Sequence, residues 1–176
     1  MPEEKSLRLF FALPCPPALA RDICSWRDDL TLGGRPVVQA NLHLTLAFLG
    51  SQPSLKLVEL KRLGGQLRAD AFTLRLDRLQ TIGRGFACLI PSQVPPPLSQ
   101  LVEQLRAGLS VHGTALDSRP FLPHVTLARE APVQPDVGSP AFSWQVKHFG
   151  LFVSESTATG VHYRELERWS LGAPGG

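Results

Sequence analysis

Apolar residues recur along this chain with two alternating periods. A solid apolar run at residues 7–13 is stopped by Pro14 and predicts a strand. Pro16 and Pro17 then open a segment in which Leu19, Ile23, Trp26 and Leu30 share one helical face, closed by Gly33 and Gly34. Residues 37–49 predict a strand ended by Gly50. Ser54 is expected to cap a second helix carrying Leu60, Leu63 and Leu67 in line. Residues 72–77 alternate as a strand should, and a Gly-Arg-Gly turn at 83–85 leads into another strand over 86–91. Pro95 to Pro97 begin a third helix with Leu98, Leu101, Leu105 and Leu109 on one face, ended by Gly113. A strand over 121–129, a Pro-rich connection over 131–140 and two strands near 142–154 and 162–171 complete the pattern.

The strands at 37–49 and 121–129 each follow a helix, which gives a weak internal repeat with a period near eighty residues. This order predicts an α/β (α+β) fold with two lobes related by a pseudo-twofold, each lending one strand to a shared cleft.

The repeat carries chemistry. His43-Leu44-Thr45-Leu46 returns as His124-Val125-Thr126-Leu127. In a strand, residues i and i+2 point to the same face. Each copy therefore presents an imidazole beside a hydroxyl and buries two apolar side chains behind them. Two such matches arise by accident in roughly one chain in a thousand of this length. Two imidazoles and two hydroxyls facing each other are equipped for acid–base chemistry on a phosphoryl centre without a metal.

Composition narrows the setting. The 176 residues make one domain, 1–176, long enough to bury a core, with a tail at 172–176 expected to be flexible. No run approaches a membrane span, and Met-Pro-Glu-Glu-Lys does not resemble a secretory leader. The three cysteines lack Cys-x-x-Cys spacing, so free thiols in a reducing cytoplasm are expected and a zinc site on them is not. A net charge of +3 suits an anionic ligand, and arginines outnumber lysines fourteen to four.

The segments RLFFAL, NLHLTLAFLG and RPFLPHVTLAR resemble the 2H phosphoesterase superfamily, in particular its bacterial LigT-like branch, the RNA 2′,3′-cyclic phosphodiesterases also named 2′-5′ RNA ligases. The likeness runs from about Leu7 to Leu171. It implies antiparallel sheets facing a central cleft with helices outside. It implies hydrolysis of RNA or nucleoside 2′,3′-cyclic phosphate ends to 2′-phosphates, a possible reverse 2′-5′ joining of RNA, and no metal or other cofactor. The partner implied is RNA with a cyclic phosphate end, or a cyclic nucleotide; a monomer and no membrane are expected.

Following the family, His43 is the proton donor to the leaving 3′ oxygen and His124 the acceptor that activates water; from the residues alone the two are interchangeable. Thr45 and Thr126 are expected to bind the phosphate oxygens. Phe48 and Arg129 occupy matching places, each five residues beyond its histidine, and are candidates to sandwich a base. Strict alternation puts both on the face opposite the histidines, so a bulge or strand end is needed to turn them inward. Phe48 is otherwise a core residue. His112, His148 and His162 lack a Thr two residues on and are expected to be structural or solvated. Two alternatives stand against the enzyme: a metal hydrolase, for which Glu130 and Asp117 are the nearest carboxylates to the second motif, and a non-catalytic RNA-end or nucleotide-binding module using the same cleft.

Overall fold

From Leu9 to Leu13 the apolar run at 7–13 is buried on both sides of the strand it forms, and only Arg8 within it stays exposed. In a computed structural model, which describes residues 5–114, 120–132 and 138–172, that strand is β1 (Ser6–Pro14). Leu9, Phe11 and Leu13 point into the main core, while Phe10 and Ala12 join a smaller cluster on the other face. The order continues with α1 (Pro17–Leu30), β2 (Arg35–Pro36), β3 (His43–Pro53), α2 (Leu57–Gln66), β4 (Phe72–Leu76), β5 (Arg78–Ile82) and β6 (Phe86–Ile90). It ends with α3 (Pro96–Val111), β7 (Val125–Arg129), β8 (Phe142–Val146), β9 (His148–Thr157) and β10 (Gly160–Ser170).

The fold is α+β and its strand ladders are antiparallel. The larger sheet runs β10-β9-β1-β3-β7-β6-β5, with β2 also paired to β7, and β4 pairs with β8 in a separate two-stranded sheet. The two lobes expected from the repeat are thus halves of one sheet, joined where β3 meets β7. That seam is a single residue pair, Leu44 opposite Val125.

All three helices expected from the sequence form, and α2 and α3 bury the apolar faces read there. Leu98, Leu101, Leu105 and Leu109 are fully buried, and Leu60, Leu63 and Leu67 nearly so. In α1 the buried face is Ala20, Ile23, Cys24 and Arg27, with Leu19, Trp26 and Leu30 packed at its margin. Helix α2 comes so close to β10 that a methyl on Gly64 would overlap the ring of Trp169.

Four boundaries differ from the sequence pattern. The strand expected at 37–49 begins at His43, because Gln39–Asn41 make a 3₁₀ turn, and it continues past Gly50 to Pro53. Ser54 does not cap α2; a 3₁₀ turn over Ser54–Lys56 precedes it, and the Ser54 amide bonds the Lys5 carbonyl at 2.8 Å. The strand expected at 121–129 starts only at Val125. The segment at 142–154 breaks at Lys147 into β8 and β9, which serve different sheets. Strand β5 left no signal because none of its residues is fully buried, so no apolar face records its period. Of the expected flexible tail, Gly172 is paired with Asp70 in an isolated bridge; 173–176 lie outside the described residues, as do Asp117 and 133–137 of the Pro-rich connection.

Candidate active site

The seam between β3 and β7 organises the motifs. With Leu44 opposite Val125 in an antiparallel register, His43 falls beside Thr126 and Thr45 beside His124. Leu44, Val125 and Leu127 are fully buried and Leu46 nearly so, while the histidines and threonines on the opposite face stay half-buried. The repeat therefore becomes a local dyad, with one imidazole and one hydroxyl from each half on a shared surface.

Each imidazole is held in the same way. His43 Nδ1 donates to the Asn41 carbonyl at 2.7 Å, and His124 Nδ1 donates to the Leu122 carbonyl at 2.7 Å. A carbonyl only accepts, so Nδ1 carries the hydrogen and Nε2 is left for chemistry. His43 Nε2 meets the Thr45 hydroxyl at 2.9 Å. The Thr126 hydroxyl lies 3.7 Å from Cys88 Sγ, and burial pushes that thiol up to about 11, so it stays protonated.

Phe48 and Arg129 both reach the cleft, and the same device brings each there. Along β3, Phe11 pairs with Ala47 and Ala12 with Thr45, which leaves Leu46 as an extra residue. Along β7, Ala87 pairs with Ala128 and Cys88 with Thr126, which leaves Leu127 extra. Each bulge sits three residues after its histidine and resets the alternation. Phe48 is 55% exposed and so is not a core residue. The Leu127 carbonyl accepts the Val37 amide at 2.8 Å and the buried Arg27 guanidinium at 3.3 Å, which pins the second bulge.

The motifs are not the whole site. A cavity of about 360 Å³ is lined by His43, Thr45, Phe48, Thr126 and Arg129, and also by Arg8, Phe10, Asn41 and Tyr163. Tyr163 presents its edge to His43 at 5.0 Å and accepts a hydrogen bond from Arg129 at 3.3 Å. Strands β10 and β7 are four steps apart in the sheet, so a flat sheet would separate their backbones by roughly 19 Å. Their contact means that this face is curled into a trough. Phe10, 5.1 Å from the His43 ring and stacked on Phe152, forms its floor. The sequence pattern missed Phe10 and Tyr163 because one hides among the apolar residues of β1 and the other sits in a strand of mixed polarity; neither neighbours a motif in sequence.

Burial holds the His43 imidazole below the ordinary value, and the nearby His124 and Arg129 push the same way, against the hydrogen bond to Asn41. His112 lies at the C-terminal end of α3, His148 begins β9, and His162 is exposed on β10; none of the three lines the cavity. Among the described residues no three His, Cys, Asp or Glu side chains are grouped to hold a metal ion, and no helix is long and apolar enough to cross a membrane.

Comparison with known proteins agrees with this geometry. The sequence profile of the 2′-5′ RNA ligase superfamily matches residues 15–158. The chain is 38% identical to the RNA 2′,3′-cyclic phosphodiesterase of Escherichia coli K12, over 93% of this chain and 96% of that protein. It is 32% identical to the protein of the same name from Thermus thermophilus, over 94% of this chain and 90% of that one. The crystal structure of E. coli LigT in complex with 3′-AMP superposes with a TM-score of 0.88 at 37% identity, covering 95% of this chain and 99% of that one. With both histidine motifs brought together across one seam and these matches spanning nearly the whole chain, the protein belongs to the 2′-5′ RNA ligase superfamily.

Proposed function

We propose that this protein is an RNA 2′,3′-cyclic phosphodiesterase that opens cyclic phosphate ends to 2′-phosphates by two-histidine acid–base catalysis. The observation that carries the reading is the paired motif across the β3–β7 seam, with each Nδ1 committed to a backbone carbonyl, which leaves Nε2 as the nitrogen for proton transfer in each ring. The phosphodiesterase relatives and the nucleotide held by E. coli LigT support the same substrate class. We place the protein in the cytoplasm, in keeping with three free cysteines, and propose that it acts as a monomer.

In-line opening of the ring needs water to lose a proton while the leaving 3′ oxygen gains one. His124 takes the first role and His43 the second. Neutral His43 Nε2 accepts the Thr45 hydroxyl hydrogen. Once His43 is protonated that bond reverses, and Thr45 turns its own hydrogen toward the phosphate. Thr126 does the same from the other half, fixing the phosphorus between the imidazoles. Phe48 and Arg129 bracket the terminal base. With the 5′-hydroxyl of a second RNA in place of water, the same displacement forms a 2′-5′ phosphodiester: the bond from phosphorus to the 5′ oxygen forms, the bond to the 3′ oxygen breaks, His124 takes the 5′-hydroxyl proton and His43 protonates the 3′ oxygen.

This assignment asks His43 to be charged in the complex, although its surroundings keep it neutral in the free protein. The substrate resolves the conflict, since the anionic phosphate stabilises the charged imidazole against the cost of burial and the lesser repulsion from His124 and Arg129. NMR titration should find His43 of the free protein titrating below 6.5 and moving upward when a nucleoside 2′-phosphate binds. Binding then takes up a proton, so affinity rises as pH falls from the bound-state value toward the free-state value. A His43 that titrates identically with and without ligand would contradict its role as acid.

Regiochemistry tests the leaving group. Phosphorus NMR of the products from a 2′,3′-cyclic mononucleotide, with EDTA present, should show the 2′-phosphate. A mainly 3′-phosphate product would overturn the placement of the acid behind the 3′ oxygen. Tight binding with no turnover would favour a binding module instead.

A further inference from the structure

The cleft holds more positive charge than one cyclic phosphate requires. Its lining includes two arginines, Arg8 and Arg129, and no Asp or Glu. Arg8 is exposed on β1, where its backbone lies between Ser51 of β3 and Ser154 of β9. Its guanidinium lies 5.6 Å from the centre of the Phe48 ring and, among the described residues, makes no salt bridge. A forked cation without a carboxylate, in a phosphate-binding cleft, is an open seat for an anion.

Its position along the trough fits a second phosphate. Phe10 touches His43 and marks the reacting end. Arg8 lies two residues further along β1, roughly 7 Å at about 3.4 Å per residue, a span of the order of one nucleotide step in an extended strand. Beside it on β9, Ser154 and Ser156 share the cleft face and bring two hydroxyls into the lining. Across from them on β10 stand Tyr163, paired with Ser154, and Val161, paired with Ser156, an apolar ledge for a sugar or base.

We propose that Arg8, with Ser154 and Ser156, receives the phosphodiester immediately upstream of the terminal nucleotide, so that the site prefers the end of an RNA chain to a lone nucleotide. This rests on the proposed hydrolase reading for the identity of the chain it holds. The contact is a charge-assisted hydrogen bond in a trough, and losing one of that kind lowers affinity by about tenfold.

The test is binding, read separately from turnover. Wild type, Arg8→Ala and Arg8→Gln are titrated with adenosine 2′-phosphate and with the dinucleotide ApA carrying a 2′-phosphate end. Wild type should bind the dinucleotide about tenfold more tightly, and both variants should lose that preference. Equal affinities in wild type would overturn the proposal. An equal loss for both ligands in the variants would also overturn it, since Arg8 would then only brace Phe48. If the preference is found but neither cyclic-ended counterpart is hydrolysed, the hydrolase reading fails and the subsite stands.

Discussion

Replacing His124 or His43 with alanine is expected to lower turnover of a 2′,3′-cyclic mononucleotide by a hundredfold to ten-thousandfold, the range for loss of a positioned general acid or base. Each imidazole has a fixed tautomer through its own carbonyl, at Leu122 or Asn41, so neither can stand in for the other by turning its ring. Losing both should cost little more than losing one if, as proposed, the two act on a single displacement. The fold should survive, since both side chains are only half-buried and face the cleft rather than the core. Melting temperatures near wild type, together with rates down by these factors, are the expected pair of readings. The wild-type pH profile should be bell-shaped, and each single variant should lose one limb. A single variant with near-normal activity would sink the two-histidine mechanism.

The second large effect lies outside the site. Gly34→Ala should destabilise the protein by about 3 kcal/mol or more and lower its melting temperature by about 10 °C. Gly34 has φ +70, a conformation that penalises any side chain. A methyl there would overlap the carbonyl oxygen of Arg129 and lie 2.8 Å from Ala131 N. Backbone cannot swing aside as a side chain can, so the end of β7 must move. Arg129 should lose its alignment with Tyr163, and the Michaelis constant for a cyclic mononucleotide should rise as well. Gly113→Ala is the matched control: its φ is +74, yet nothing lies within 4 Å of the added atom, so only the conformational cost remains. If the two variants melted together, the close approach at Gly34 would carry no weight.

What the sequence disclosed follows from where the information is stored. The helices and the doubled motif are patterns of neighbours along the chain, and both were legible. Phe48 and Arg129 were legible as candidates but not as cleft residues, because their orientation depends on an extra residue relative to a partner strand. That count exists only in the ladder of β1 against β3, and of β6 against β7. Tyr163 contributes through the curl of the sheet, which brings β10 over β3 and β7 although the chain separates them widely. Arg27 reads as a polar residue on an amphipathic helix; only the folded chain brings it under the Leu127 carbonyl.

The seam at Leu44 and Val125 has a consequence for how errors would propagate. Sliding one strand by a single residue turns every side chain on it to the other face. At this seam such a slip would remove both imidazole–hydroxyl pairs at once, and a single residue pair is a weak guard against it. The guard is supplied from outside, by the long ladder of β1 on β3 and the bulged ladder of β6 on β7. Alignment of the two motifs is thus inherited from the outer edges of β3 and β7, so residues of β1 and β6 that never touch the seam set its tolerance.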